Sequence, residues 1–156
     1  MPVIRREPPT GAASQALFAE YMQLVRERLG GAFVPTEAIF ATVDDFDGPG
    51  TAWLVLYEGE RAVACGGLRP LEQGVAEIKR MFVTAGERGR GHGRVLLAEL
   101  EALARAEGFG RVRVLTTEVL REARSLYSSV GYRPVGVAIV DGRVDLWLEK
   151  RLTPAA

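Results

Sequence analysis

The chain has 156 residues, and its 20 basic side chains are balanced by 20 acidic ones. A net charge of zero offers no overall attraction to nucleic acids or anionic membranes, so neither is an expected partner. The length and a hydrophobic content of 47% predict a single domain, residues 1–156, with a full hydrophobic core.

The single cysteine, Cys65, excludes an intrachain disulfide and a thiolate metal cluster. The sequence has no apolar run near the roughly 18 residues of a membrane-spanning helix, and its first residues lack the pattern of a signal peptide. These observations predict a cytoplasmic protein with no membrane partner.

The N-terminal part of the chain predicts a strand and a helix. Residues 2–6 suit a short first strand, and apolar residues at helical spacing predict a helix from Ser14, as its N-cap, to Gly30. Residues 35–47 leave two interpretations open, a short helix running into an acidic lip or a solvated connection. The acids of the lip are Asp44, Asp45 and Asp47.

Three strands follow in the middle of the chain. The β-rich runs 52–57 and 62–68 predict an antiparallel hairpin, a turn is expected at 70–74, and residues 75–83 form the third of these strands. Because apolar residues occupy both faces of each run, we expect a sheet that is covered on both sides.

A helix, a strand, a helix and a hairpin complete the chain. The predicted spans are a helix from Val95 to Gly108, a strand at 112–116, a helix at 121–130, and hairpin strands at 135–140 and 143–152 joined by Asp141–Gly142. The predicted fold class is therefore α/β, a mixed sheet with antiparallel N-terminal strands, a central β-α-β crossover and a C-terminal β-hairpin.

The loop between the third of these strands and the following helix is rich in glycine and arginine. Gly89, Gly91 and Gly93 let the backbone approach a ligand closely, and the first-turn N–H groups of the helix have no internal partners. These donors, the helix dipole and the nearby arginines favour an anion such as pyrophosphate. The Walker A pattern is absent, and the even glycine spacing does not meet the dinucleotide fingerprint G-x-G-x-x-G.

Three motifs make a family resemblance specific. The pattern Arg88-x-x-Gly91-x-Gly93 matches the R/Q-x-x-G-x-G/A signature of the GNAT superfamily of N-acetyltransferases. Residues 126–132 resemble the L-Y-x-x-x-G-F/Y element of that family, and residues 77–83 resemble the E-h-K-R-h-Y/F-V strand (h, aliphatic) of many bacterial members. The order of the predicted elements also agrees with this family over nearly the whole chain.

The resemblance implies that acetyl-CoA is the co-substrate, with no metal. Backbone N–H groups across residues 88–94 would hold the pyrophosphate, and backbone groups of Met81, Phe82 and Val83 would pair with the pantetheine arm and the acetyl group. The arginine side chains would contact the 3′-phosphate or stay solvated, and His92 would contribute its backbone N–H rather than base or metal chemistry. The expected pyrophosphate-binding residues are Arg88, Gly89, Arg90, Gly91, His92, Gly93 and Arg94.

By the same resemblance, Tyr127 would give a proton to the leaving thiolate, and Glu77 would act as general base toward the amine. Each has a structural alternative, because Tyr127 lies on the apolar face of its helix and Glu77 could form a salt bridge with Lys79 or Arg113. A backbone N–H near Phe82 would meet the oxyanion.

Other candidate residues are weaker. Cys65 lies in mid-strand with no basic neighbour and is interpreted as a core residue, while Thr116, Thr117 and Glu118 are expected at the substrate side. Leu120 stands where many relatives carry an asparagine, so that polar contact is not expected here.

The predicted function is transfer of acetyl from acetyl-CoA to a primary amine of a small molecule. Acids of the lip and of the closing hairpin, Asp141 and Asp145, hint at a cationic acceptor. The alternatives are a peptide or protein N-acetyltransferase and a non-catalytic CoA-binding regulatory module. Dimerisation is common in the family, so a homodimer is one expected state.

Overall fold

The computed structural model describes residues 2–30, 46–117, 120–140 and 142–153. One seven-stranded sheet runs through this part of the chain, with helices on its faces. The elements are β1 (Pro2–Arg6), α1 (Ala12–Leu29), β2 (Ala52–Glu58), β3 (Arg61–Glu72), β4 (Val75–Val83), α2 (His92–Ala106), β5 (Arg111–Thr116), α3 (Arg121–Ser129), β6 (Arg133–Val140) and β7 (Arg143–Arg151).

The strand order is β1-β2-β3-β4-β5-β7-β6. The first four strands pair antiparallel, β4 and β5 pair parallel through the α2 crossover, and β7 lies antiparallel between β5 and β6. This topology confirms the predicted fold class, since the antiparallel start, the central β-α-β unit and the C-terminal hairpin are all present. No described helix is both long and apolar enough to cross a membrane.

The two central strands separate along their length. β4 pairs with β5 only over Val75–Glu77, although β4 runs on to Val83 and β5 to Thr116. Arg80 has a left-handed φ of 60°, and the β3–β4 register shifts beside it, between Cys65 and Gly67 of β3. A bulge of this kind bends the strand that carries it. The outer half of β4 is therefore left with one strand neighbour, β3.

Both faces of the sheet are buried around its middle strands β2, β3 and β4, as the sequence predicts. Alternate residues of β2 divide between the faces: Leu54 and Leu56 join the core under α2 and α3, while Trp53 and Val55 pack toward α1. Because successive side chains of a strand point to opposite faces, an apolar run supplies both cores at once.

Two sequence predictions are wrong in detail. Helix α1 begins at Ala12 with Gly11 as N-cap, and Ser14 lies inside it, where its buried hydroxyl accepts a 2.8 Å hydrogen bond from the indole of Trp53. A serine that can satisfy a buried indole N–H is tolerated within a helix. The expected turn at 70–74 is shorter, since β3 continues to Glu72.

Some predicted features fall outside the described residues. They are most of the 35–47 segment with Asp44 and Asp45, and also Glu118 and Asp141.

Candidate active site

A cavity of about 430 Å³ opens at the outer end of β4, where that strand has parted from β5. Helix α1 forms one wall, α3 another, and the glycine loop with the start of α2 forms the base. The lining residues are Tyr21, Leu24, Met81, Phe82, Val83, Glu87, Arg88, Gly89, Gly91, His92, Gly93, Arg94, Leu120, Glu122, Ala123, Leu126 and Tyr127. Ten of the twelve predicted site residues therefore meet at one cavity, and Glu77 and Arg90 are the two that do not line it.

The glycine loop has the backbone shape that close approach to a ligand requires. Gly89 and Gly91 have φ values of 80° and 84°, in the left-handed region, and a Cβ added to either would meet nothing within 4 Å. Gly91 is the N-cap of α2 and provides no side-chain cap, so the first-turn N–H groups are open to an anion.

Gly93 has a second role that the motif alone does not reveal. A Cβ at Gly93 would lie 3.1 Å from Cδ2 of Leu126 and 3.5 Å from Cγ2 of Val83. The last glycine of the signature thus allows α2 to pack closely against both α3 and β4, which brings three walls of the cavity together.

The three arginines of the loop differ in their contacts. Arg88 turns inward: its Nε donates to the carbonyl oxygen of Val83 at 3.1 Å, and its guanidinium lies 5.6 Å from the Phe82 ring centroid. Arg90 pairs with Glu87 at 3.3 Å, and Arg94 donates to the hydroxyl of Ser129 at 3.1 Å. Arg88 therefore holds the end of β4, whereas Arg90 and Arg94 remain exposed at the surface of the loop.

The position of Tyr127 is compatible with both interpretations that the sequence left open. Its side chain is buried in the core under α3, 5.4 Å from the Tyr132 ring, and it also lines the cavity. Burial raises the pKa of the Tyr127 hydroxyl above the usual phenol range, with a smaller contribution from Tyr21. The hydroxyl accordingly keeps its proton at neutral pH and can donate a hydrogen bond into the cavity.

Glu77 lies at the other end of β4, outside the cavity lining. It is 3% exposed, and its carboxylate pairs with Arg69 at 2.7–2.8 Å rather than with the expected Lys79 or Arg113. The cause is the β3–β4 register, which places Arg69 directly opposite Glu77. Arg113 instead binds Glu149 at 2.8 Å and Glu72 at 2.9 Å.

The residue that sequence analysis missed is Glu87. It lies at the end of a short 3₁₀ turn, Ala85–Glu87, lines the cavity and is only 9% exposed. Its carboxylate approaches Nε2 of His92 at 3.3 Å and the guanidiniums of Arg61 and Arg90. The sequence signal that could have identified Glu87 is its position as a single acid beside the arginines of the glycine loop.

Cys65 is a core residue, as the sequence predicts, whereas Thr116 and Thr117, expected at the substrate side, do not line the cavity. Cys65 is fully buried, burial raises the pKa of its thiol, and its Sγ lies 3.6 Å from the carbonyl oxygen of Arg80. Thr116 is 4% exposed, and its hydroxyl has no hydrogen-bond partner among the described residues. In the same part of the chain, no group of three or more His, Cys, Asp or Glu side chains is placed to hold a metal ion.

Residues 16–132 match the sequence profile described as the acetyltransferase (GNAT) family. The chain belongs to this family. The match includes every residue that lines the cavity, from Tyr21 to Tyr127, and it confirms the resemblance inferred from the motifs.

Similarities to individual proteins agree with this family assignment. The uncharacterized N-acetyltransferase YjgM of Escherichia coli K12 is 37% identical over 102 residues, which are 62% of this chain and 60% of the length of YjgM. A structure from Klebsiella pneumoniae described as an acyl-CoA N-acyltransferase is 28% identical, with a TM-score of 0.75 over 98% of this chain and 99% of that one.

A second solved structure has the same fold and contains bound coenzyme A. It is an aminoglycoside 6′-N-acetyltransferase complexed with coenzyme A, 16% identical, with a TM-score of 0.72 and 99% of each chain covered.

Proposed function

We propose that this GNAT protein transfers acetyl from acetyl-CoA directly to a primary amine of a small molecule. One observation carries the proposal: the cavity joins a half-unpaired strand, an uncapped helix N-terminus and a buried tyrosine hydroxyl. An elongated ligand with an anionic group, an amide-bearing arm and a reactive thioester has a chemically matching partner at each point of that cavity.

The donor would lie along the cavity in a fixed direction. Its pyrophosphate would accept hydrogen bonds from the backbone across residues 88–94, where left-handed glycines and the α2 N-terminus present N–H groups. Its pantetheine amides would pair with backbone groups of Met81, Phe82 and Val83, as an added strand pairs with a free sheet edge. Arg88 supports this edge by bonding the carbonyl oxygen of Val83.

The thioester supplies an activated acetyl group that a free amine can attack. As the amine nitrogen bonds to the carbonyl carbon, negative charge develops on the carbonyl oxygen, and a backbone N–H near Phe82 would stabilise it. When the carbon–sulfur bond breaks, the Tyr127 hydroxyl would donate its proton to the sulfur, so that free CoA leaves as a thiol.

Glu77 is our candidate for the base that removes the amine proton. Its burial beside Arg69 and its distance from the cavity lining mean that it would act through water rather than by direct contact. The Arg69 pair keeps the buried carboxylate satisfied while the site is empty.

The support for a small-molecule acceptor is the similarity to the aminoglycoside N-acetyltransferase. Another protein with the same fold is named for a larger, protein substrate. The ribosomal-protein-S18-alanine N-acetyltransferase of E. coli has a TM-score of 0.68 at 19% identity, covering all of this chain and 97% of that one. A protein N-terminus is therefore the second candidate acceptor.

We also propose that the protein is a cytoplasmic homodimer. Sedimentation equilibrium would measure its mass in solution and so test the dimer.

The test has two arms. Acetyl-CoA at about 100 times its Kd should stabilise the protein by about 2.7 kcal/mol, because it binds only the folded state. An unchanged melting temperature at saturation would remove acetyl-CoA as ligand and with it the proposal.

The second arm is a panel of small amines and short peptides, with release of free thiol as the signal. The buried Cys65, whose thiol pKa is raised, keeps the background low. Turnover of peptides alone would favour the protein acceptor. Stabilisation without turnover of any amine would favour the non-catalytic CoA-binding module.

A further inference from the structure

His92 is the first residue of α2, yet its imidazole points away from solvent. It is 5% exposed, with Nε2 at 3.3 Å from Oε2 of Glu87 and at 3.7 Å from Oε1 of Glu58. Because a carboxylate only accepts hydrogen bonds, Nε2 carries the hydrogen in this contact. The imidazole thus contacts Glu87 of the loop directly and lies near Glu58 at the end of β2, an element that supplies no cavity wall.

Glu87 presents an electrostatic problem for an anion site. Glu87 lines the same cavity as the glycine loop and is nearly buried, so an unscreened charge on its carboxylate would repel a pyrophosphate. Three donors surround it: His92 at 3.3 Å, Arg90 at 3.3 Å and Arg61 at 3.5 Å.

These donors differ in how firmly they are held. The side chains of Arg61 and Arg90 are 64% and 65% exposed, so water and salt screen their pairs with Glu87. His92 is buried and fixed in the first helical turn, between Gly91 and Gly93. It is therefore the donor that determines where the Glu87 carboxylate points.

We propose that His92 is a positioning residue of the acyl-donor site: its imidazole holds the Glu87 carboxylate away from the bound pyrophosphate. This inference rests on the proposed function, because it takes acetyl-CoA as the ligand. It assigns His92 a side-chain role in addition to the backbone N–H expected from the motif. No proton transfer to substrate is involved.

The experiment measures the Kd of CoA by calorimetry together with kcat and KM for acetyl-CoA. His92→Ala should weaken CoA binding roughly tenfold, the size expected from losing one hydrogen bond to a charged group. KM should rise in parallel while kcat stays within about twofold, since Tyr127 lies on another helix. Val95→Ala is the matched control, because Val95 is exposed in the same helix turn and should leave Kd unchanged.

Two rescue variants separate positioning from loss of packing. His92→Gln keeps an N–H donor and should restore most of the affinity. Glu87→Gln placed in the His92→Ala background should also recover affinity, because it removes the charge that His92 no longer restrains; a purely structural histidine would give no such recovery.

The outcomes are distinguishable. If the unaltered protein does not bind CoA, the proposed function itself fails. If it binds CoA and His92→Ala binds equally well, the His92 inference is overturned while the function stands. If His92→Ala is weak and neither rescue variant recovers affinity, the inference is also overturned. Melting temperatures of all variants identify any that fail to fold.

Discussion

The two ends of β4 have opposite roles although they belong to one strand. Val75–Glu77 lie between β3 and β5, with backbone partners on both sides and the carboxylate of Glu77 paired to Arg69. Residues 78–83 have β3 as their one strand neighbour in the described part of the chain, and the last three of them, Met81, Phe82 and Val83, line the cavity. Because buried backbone groups require partners, the open end is the part of the strand on which a ligand can complete the sheet. The closed end provides the rigid frame.

The sharpest test of the open end is Tyr127→Phe. Removing the hydroxyl should lower kcat about a hundredfold, the lower part of the range for a lost proton donor, with the Kd of CoA unchanged. Burial raises the pKa of this hydroxyl above the usual phenol range, so Tyr127 should stay protonated in the unaltered enzyme over the pH range of the assay. Steady-state kinetics with calorimetry decide the matter, and unchanged turnover would return Tyr127 to a packing role.

The backbone of the open end is tested by Gly91→Ala. A left-handed conformation costs a non-glycine residue roughly 1–2 kcal/mol, so the loop should relax and weaken CoA binding about tenfold. Gly74→Ala is the control, since Gly74 has a φ of 77° with equally open space but lies in the β3–β4 turn. Equal effects of both variants on the Kd would contradict a specific role for the loop.

The closed end is tested by two separate variants, Glu77→Gln and Arg69→Gln. If Glu77 is the base, its variant should slow the reaction at least about tenfold at low pH, where the amine is protonated, and less at high pH. If Glu77 is only half of an ion pair, both variants should lower the melting temperature alike and leave the pH profile of kcat/KM unaltered. That second result would exclude Glu77 as the base and leave the proposed catalytic groups at the open end of β4 only.

The smallest effect is expected at the cavity rim, where Arg28 of α1 makes two 2.6 Å hydrogen bonds to Glu122 of α3. These bonds lower the pKa of Glu122 to about 2. A depressed carboxyl pKa stabilises the fold above the ordinary value near 4.5, and this contribution is lost as the pH falls toward 2.

Glu122→Gln should therefore destabilise the ligand-free protein at pH 7 by less than about 1 kcal/mol, because the side chain is half exposed. The difference from the unaltered protein should vanish near pH 2. Thermal melts at both pH values check this, with the exposed Glu99→Gln as control. A difference that persists at acid pH would show that the Arg28–Glu122 pair is not its source.

Prediction from the sequence succeeded where the signal is local. Periodicity located β4, α2 and α3, and the spacing of Arg88, Gly91 and Gly93 with Tyr127 indicated the family. It failed where a side chain is satisfied by a distant partner, as with Ser14, which bonds Trp53 instead of capping its helix.

The sequence by itself thus determined the order of elements, the glycine loop and the family, because each depends on residues a few positions apart. The tertiary structure alone decided that β4 and β5 part after Glu77, that Arg69 rather than Lys79 or Arg113 binds Glu77, and that His92 lies 3.3 Å from the Glu87 carboxylate. Strand register and helix packing set those contacts, and both depend on the energy of the whole fold rather than on any short pattern.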